Sequence, residues 1–181
     1  MNKQSLNRKV KPRKPKNRAM ANKGKASERL LERVNAQYLA KEIADIKKLP
    51  TPVHIVKVTG SKVDGIRLKG YLVDYIGVCN GSAIAFDMKE CNAASFPLSN
   101  VETHQYEMLK SWYEKGAQSF LVVYMERLDS YFRLPFEVLN EAWETMLNGG
   151  RKSIEQKIFI EQCIRLKPEK GLLLDYLTGL Y

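Results

Sequence analysis

The dipeptide Asn80-Gly81 is the feature that most constrains the fold, because it stands between two β-prone, mostly apolar runs, VDYIGVC and SAIAFDMKE. Asn-Gly is favoured in the two-residue type I′ turn, so the sequence predicts a tight β-hairpin. This turn places Cys79 opposite Ser82. The same register sets Asp74 directly across from Asp87 on one face of the sheet.

The two opposed carboxylates require an explanation, because like charges directly across a sheet repel each other. A period of two places Phe86 and its apolar neighbours on a core face and Asp87 and Lys89 on the other face. Ala83 and Ala85 are small and are predicted to leave space above this second face. Hard oxygen ligands without histidine or cysteine suit Mg²⁺ or Mn²⁺, so the pair indicates a divalent metal site. A lysine there could orient an attacking water or neutralise charge on a phosphate.

The same residues also allow a purely structural interpretation. Asp74 would lie at a strand end in solvent, and Asp87 would pair with Lys89. A β-bulge near Gly77 would shift the register and remove the direct pairing. An Asp followed after twelve residues by Asp-x-Lys is a short pattern that many sequences match by chance. The spacing alone leaves both interpretations open.

Positive charge is concentrated at the N-terminus. Residues 1–25 hold ten Lys or Arg and no acid, so this segment accounts for the whole net charge of +10. It has two prolines and no apolar periodicity, which predicts a disordered arm before a single domain of residues 26–181. Such arms bind polyanions by counterion release, and a solvated tail that aids solubility is the alternative. The residues predicted to contact DNA are Arg8, Lys9, Lys11, Arg13, Lys14, Lys16 and Arg18.

Membrane and disulfide-based classes are disfavoured. No apolar run approaches the roughly 20 residues that span a bilayer, and the basic N-terminus lacks the apolar core of a secretory signal. The three cysteines match no zinc spacing and are predicted to be reduced. We therefore expect a cytoplasmic protein with no membrane partner.

Apolar periodicity predicts a mixture of helices and strands. Steps of three and four residues indicate an amphipathic helix from about Ser27 to Lys47. Alternation from Val53 to Tyr71 indicates a strand or protruding hairpin that breaks near Gly60. After the central hairpin, Ser99 and Glu102 form a capping-box pattern before the next helix.

The second half of the chain continues this mixture. Gln118 to Met125 is a continuous β-prone run that suits a strand buried on both faces. Ser130 to Leu134 predicts another strand, and Pro135 opens a helix that ends at Asn148-Gly149-Gly150. Ser153 is predicted to cap a further helix. The class is therefore α/β or α+β around one sheet.

Against this background, the chain resembles the RecU Holliday-junction resolvases of Gram-positive bacteria and their phages, within the PD-(D/E)xK nuclease superfamily. The resemblance runs from about Asn22 to near the C-terminus. It is carried by NKGKASE at Asn22 to Glu28, LPTPVHIVKV at Leu49 to Val58, DYIGV from Asp74, the triplet Asp87-Met88-Lys89, SFPL from Ser95, His104-Gln105, and the stretch from Asn148 to Ile154.

The resemblance implies an α/β fold with a restriction-endonuclease-like core: a mixed central sheet flanked by helices, with a protruding β stalk at about residues 53–71. It implies that Asp74, Asp87 and the backbone carbonyl of Met88 bind Mg²⁺, for which Mn²⁺ would substitute. Lys89 would activate the water or stabilise charge.

Further site residues are implied by the same resemblance. Glu28 would be an additional active-site acid that reaches the metal through water, and Gln105 would brace the site. Arg151 and Lys152 would meet phosphates. The family usually has Glu where this chain has Asp87, a carboxylate one methylene shorter.

The implied function is the resolution of four-way DNA junctions by paired phosphodiester hydrolysis in recombination and repair. It would be carried out by a nucleoid-associated homodimer, with branched DNA as substrate and host recombination proteins as further partners. The alternatives are a nuclease of the same superfamily that acts on another DNA structure, and a non-catalytic nucleic-acid-binding protein with a vestigial acidic pair.

Overall fold

The computed structural model of the protein describes residues 18–68 and 72–181. Of the predicted DNA-binding arm, all positions before Arg18 lie outside the described residues. The α-helices are α1 (Arg18–Ala40), α2 (Thr103–Tyr113), α3 (Phe136–Leu147) and α4 (Gln156–Gln162). The strands are β1 (Ala44–Lys48), β2 (Val53–Thr59), β3 (Lys62–Arg67), β4 (Tyr75–Cys79), β5 (Ser82–Cys91), β6 (Ser95–Pro97), β7 (Gln118–Met125), β8 (Ser130–Pro135), β9 (Ser153–Glu155) and β10 (Ile164–Leu166).

A six-stranded sheet with the order β1-β4-β5-β7-β8-β10 organises the fold. Strands β5 and β7 pair in parallel, and the other neighbours pair antiparallel. One apolar cluster joins the sheet to α1 and the C-terminal residues, and a second joins it to α2, α3 and α4. We call these sides the α1 face and the α2 face. This mixed sheet flanked by helices confirms the predicted α/β class.

The central hairpin forms as predicted. Asn80 and Gly81 both have positive φ, 46° and 76°, as a type I′ turn requires. Cys79 pairs with Ser82, and the register continues without a shift to Tyr75 opposite Phe86. The β-bulge considered near Gly77 is therefore not part of this ladder.

The predicted protruding hairpin is also present. Strands β2 and β3 form a separate two-stranded sheet with a turn at Gly60, whose φ is +60°. Every residue of β2 is exposed. The exposed large apolar side chains of this hairpin are Val53, Ile55, Val56, Val58, Val63 and Ile66.

The first helix differs from its predicted bounds. It begins at Arg18, inside the segment predicted as a disordered arm, and it ends at Ala40 rather than near Lys47. Glu42 takes a left-handed conformation with φ 57°, and the amides of Glu42 and Ile43 donate to Leu39 and Tyr38, which closes the helix. The residues after this turn form edge strand β1, because pairing with β4 overrides their helical spacing.

Three local predictions are wrong. Ser99 lies in a 3₁₀ turn rather than at a helix cap, because the capping box of α2 is formed by Glu102 and Gln105. Ser153 begins strand β9, which pairs with β6, so α4 begins only at Gln156. Ala85 is fully buried on the α2 face, so no open space lies above it.

Other predictions of the second half hold. Strand β7 spans the predicted residues and is buried on both faces, and α3 starts directly after Pro135.

The cysteines Cys79, Cys91 and Cys163 are free thiols. Within the described residues, the helices are too short or too polar to cross a membrane.

Gly77 is predicted to be essential for the close approach of β1 to β4. A Cβ atom at this position would lie 2.2 Å from the Asp45 carbonyl oxygen and 2.8 Å from the Ile46 Cα. Because backbone atoms would have to move, we expect Gly77→Ala to lower the free energy of unfolding by about 1–3 kcal/mol. Urea unfolding measures this loss. The neighbouring exposed Val78→Ala is the control, and an equal effect in both variants would contradict the packing argument.

Candidate active site

Asp87 is the buried centre of the candidate active site. It lies in the middle of β5 with 0% exposure, on the face that packs against α2. Its Oδ2 accepts a hydrogen bond from the side-chain amide of Gln105. Its Oδ1 lies 3.2 Å from the ammonium of Lys89 but has no directed hydrogen-bond partner among the described residues.

Gln105 connects this carboxylate to the start of helix α2. Its Oε1 accepts from Lys89 Nζ at 2.8 Å and from the backbone amide of Glu102 at 3.2 Å. One side chain therefore completes the capping box of α2, orients Lys89 and binds Asp87. This arrangement is consistent with the bracing role implied for Gln105.

Asp74 lies at the end of the sheet, in a bend directly before β4. Its backbone carbonyl accepts from the Leu49 amide at 2.8 Å, which extends the pairing of β1 with β4 by one residue. The hairpin ladder ends at Tyr75 opposite Phe86, so Asp74 and Asp87 are the next residues along the two chains, as the predicted register requires. Asp74 itself is exposed. The purely structural interpretation predicted an exposed Asp74 and a contact between Asp87 and Lys89, and both are present. It did not predict that Asp87 is fully buried.

The pKa of Asp87 reflects these neighbours. Burial raises it to about 6 from its ordinary value of 3.8. The charge of Lys89 opposes this rise, whereas the like charge of Asp74 adds to it. Two neighbouring carboxylates repel each other, and a cation bound between them would remove this repulsion.

The donor set fits a hard divalent cation. A buried carboxylate oxygen without a hydrogen-bond partner is costly, and it lies beside a second carboxylate. Oxygen ligands without His or Cys suit Mg²⁺ and Mn²⁺. Within the described residues, no three His, Cys, Asp or Glu side chains lie together in a metal-holding group. Asp74 and Asp87 would therefore need further ligands, such as the predicted Met88 carbonyl and water.

Glu28 comes from a different element than Asp74 and Asp87 do. It lies on α1, and its Oε2 binds Lys48 Nζ at 2.7 Å, while Glu32 lies 3.6 Å from the same ammonium. Lys48 projects from β1 toward the α1 face, because it lies two residues beyond buried Ile46 and side chains two apart in a strand share a face. The predicted contact of Glu28 with the metal through water stays a prediction.

Sequence reasoning missed three groups around α1. Lys48 lies just beyond the end of the predicted helix, and only the fold shows it beside Glu28. Buried Ser27 donates to Glu90, which follows Lys89 on β5, and this contact ties the helix to the strand that carries the site. Tyr75 is buried, and its pKa is raised by burial and by the carboxylates of Glu28, Asp74, Glu32 and Asp87. No local sequence pattern indicates these long-range contacts.

The predicted phosphate-binding pair lies between α3 and β9. Arg151 and Lys152 are exposed, and Arg151 forms an ion pair with Glu155. The backbone carbonyl of Lys152 accepts from Leu98 at 3.0 Å. This contact fixes the segment beside the turn that leads to α2, and the role of the two side chains in DNA binding stays a prediction.

The fold and the site together define a class. Two carboxylates and a lysine on a β-hairpin, within a mixed sheet flanked by helices, are the arrangement that the resemblance to PD-(D/E)xK nucleases implies. The chain belongs to the family described as Recombination protein U, whose model matches residues 22–181. The predicted family resemblance is confirmed by this match.

The chain is similar to several proteins of known name. The chain is 37% identical over 164 residues to a Holliday junction resolvase RecU of Pediococcus pentosaceus, with 87% of this chain and 82% of that protein covered. It is 33% identical over 178 residues to a Holliday junction resolvase RecU of Oenococcus oeni, with coverage of 93% and 90%. The solved structure of Archaeoglobus fulgidus Hjc, a Holliday junction resolvase, matches with a TM-score of 0.44 and 12% identity over 74% of this chain and 91% of that chain.

Asp87→Asn is predicted to stabilise the metal-free protein at neutral pH. The folded-state pKa of Asp87 lies above its ordinary value, so the wild type loses stability as the pH rises from about 4 through about 6. Asparagine cannot ionise, and we expect a gain of up to about 3 kcal/mol at pH 7.5 that disappears near pH 4.

Urea unfolding in a chelator between pH 4 and pH 8 measures this difference. Asp45→Asn is the control, because Asp45 is exposed and, among the residues that the structure describes, forms an ion pair with the exposed Lys47. A difference between Asp87→Asn and wild type that does not change with pH would contradict the assigned pKa shift.

Proposed function

We propose that this protein is an endonuclease that resolves four-way DNA junctions by paired, metal-dependent phosphodiester hydrolysis. The observation that carries the proposal is the fully buried Asp87, held together with Lys89 by Gln105. A buried carboxylate kept beside a second acid and an ammonium is costly for a purely structural element. The chain belongs to a family with relatives named Holliday junction resolvases, and a nuclease active site would explain why this costly arrangement is present.

Asp74 and Asp87 would hold Mg²⁺, with Mn²⁺ as a substitute. When bound, the ion would lower the pKa of a water molecule and stabilise negative charge on the phosphate. Lys89 is held at 2.8 Å by Gln105, so its ammonium has a fixed direction from which to orient the attacking water or neutralise the phosphorus centre. Glu28 would contribute from the α1 side through a water molecule.

DNA would be held by basic residues and by the protruding hairpin. The N-terminal basic residues and Arg151-Lys152 would bind phosphates, and the β2-β3 hairpin would enter the branched substrate. Its apolar side chains are exposed on both strands, which leaves them available to unstacked bases or to a second subunit. Such a protein would act on DNA at the nucleoid in the cytoplasm, beside host recombination proteins.

The decisive experiment compares a labelled synthetic four-way junction with a linear duplex of the same sequence, with Mg²⁺ and in chelator. Symmetric cleavage of the junction alone, and only with Mg²⁺, is expected. Equal cleavage of both substrates would favour a nuclease for another DNA structure. Tight junction binding without cleavage under any metal condition would favour a non-catalytic nucleic-acid-binding protein.

Asp87→Asn and Lys89→Ala are predicted to remove most cleavage while junction binding is retained. Asp87 would be a metal ligand, whereas Lys89 would act on the reaction, so Lys89→Ala should still bind the metal. Cleavage rates and junction affinity by gel shift test this. Lys157→Ala is the matched control, because its side chain is 72% exposed on α4. Wild-type nicking by either site variant would refute the assignment.

A homodimer is predicted, since resolving a junction takes two nicks on opposed strands. A C₂ dimer relates its two sites by the same operation that relates the junction arms. We expect a dimer at micromolar concentration by sedimentation, and linear product from paired nicks on a supercoiled cruciform plasmid. A monomer that yields only nicked circles would refute the resolvase proposal and leave a nicking nuclease.

A further inference from the structure

The hydroxyl of Tyr75 is buried with no hydrogen-bond partner among the described residues. The side chain has 0% exposure, and its ring stacks on Phe86 with the centroids 4.8 Å apart and the planes 7° from parallel. A stacked ring cannot swing its hydroxyl to water. Buried polar groups in folded proteins nearly always have a partner, so an isolated one indicates a function or a bound group.

The surroundings of this hydroxyl are acidic. Tyr75 pairs directly with Lys48 across strands β4 and β1, so both side chains project toward the α1 face. Burial has the largest effect on the pKa of this hydroxyl, and the carboxylates of Glu28, Asp74, Glu32 and Asp87 raise it further. The hydroxyl therefore lies among carboxylates from α1 and from the end of the sheet that carries Asp74.

Lys48 currently holds the Glu28 carboxylate at 2.7 Å. An ammonium cancels the charge of its partner, so Glu28 bound to Lys48 contributes little negative charge to a nearby cation. A phenolic hydroxyl differs, because it donates one hydrogen bond and leaves the carboxylate charged. Only about 44% of the Glu28 side chain is exposed, and its flexible stem allows it to exchange one donor for the other.

We propose that Tyr75 is a positioning residue of the active site, whose hydroxyl donates to Glu28 and directs this carboxylate from Lys48 toward the Asp74–Asp87 side of the sheet. The inference rests on the proposed nuclease function, since it assigns Glu28 its route to the metal. Tyr75 itself touches neither substrate nor metal.

Tyr75→Phe separates this role from a structural one. Removing a buried hydroxyl without a partner leaves the fold intact, so the melting temperature should equal or exceed that of the wild type. We expect junction turnover at saturating Mg²⁺ to fall about tenfold, as the loss of one hydrogen bond to a charged group implies, with junction affinity unchanged. The affinity for Mn²⁺, measured by electron paramagnetic resonance of the free ion, should fall several-fold.

A matched control is available in Tyr176→Phe. The Tyr176 hydroxyl is also buried, but it donates to Asn35. Its removal leaves that amide without a partner, so the melting temperature should fall while turnover and Mn²⁺ affinity stay unchanged. Both variants lose a tyrosine hydroxyl. Tyr75→Phe is expected to lower turnover and Mn²⁺ affinity without lowering the melting temperature, and Tyr176→Phe is expected to do the reverse.

A double-mutant cycle with Glu28→Gln tests whether Tyr75 acts through Glu28. In the Glu28→Gln protein, Tyr75→Phe should change neither turnover nor Mn²⁺ affinity further. Wild-type values in Tyr75→Phe, or effects that multiply in the double variant, would overturn the inference. If the wild type cleaves no junction, the proposed function fails, and the Mn²⁺ cycle alone still decides the role of Tyr75.

Discussion

The carboxylate of Asp87 is removed from water inside the sheet, and much of the neighbouring structure compensates for it. An isolated buried charge costs several kcal/mol, so it persists only with close partners. Parallel pairing with β7 and packing of α2 bury the strand, while Gln105 and Lys89 reach the carboxylate from the same side. The compensation is incomplete, since one oxygen lacks a directed partner and a second acid stands beside it. An incompletely compensated carboxylate pair is suited to binding a cation.

The two faces of the sheet treat their acids differently. On the α2 face, the carboxylates are crowded, and the pKa of Asp87 is raised. On the α1 face, Glu28 and Glu32 share the ammonium of Lys48. The contact of Ser27 with Glu90 joins α1 to the strand that carries Asp87. The backbone positions of Glu28 and Asp87 are therefore fixed relative to each other. Carboxylates of both groups raise the pKa of Tyr75, which lies at the start of β4.

Features set by short-range chemistry could be predicted from the sequence. Asn80-Gly81 determines its turn, the turn determines the register, and the register places Asp74 level with Asp87. The family resemblance supplied Glu28 and Gln105, which no spacing would have identified. Features decided by tertiary pairing could not be predicted. The residues of β1 repeat with helical spacing but form a strand because β4 offers them a partner. Two capping patterns overlap around Glu102, and the 3₁₀ turn before α2 selects the second one.

The double use of Gln105 limits which residues can replace it. As the third residue of a helix, glutamate would complete the capping box as well as glutamine does. A glutamate would, however, bring a third negative charge against Asp87 and would have no amide to donate to it. Either glutamate or glutamine would therefore suit the helix cap, but only glutamine can donate a hydrogen bond to Asp87 on the neighbouring strand. At residue 105 the neighbouring carboxylate of Asp87, rather than the helix, therefore distinguishes the amide from the acid.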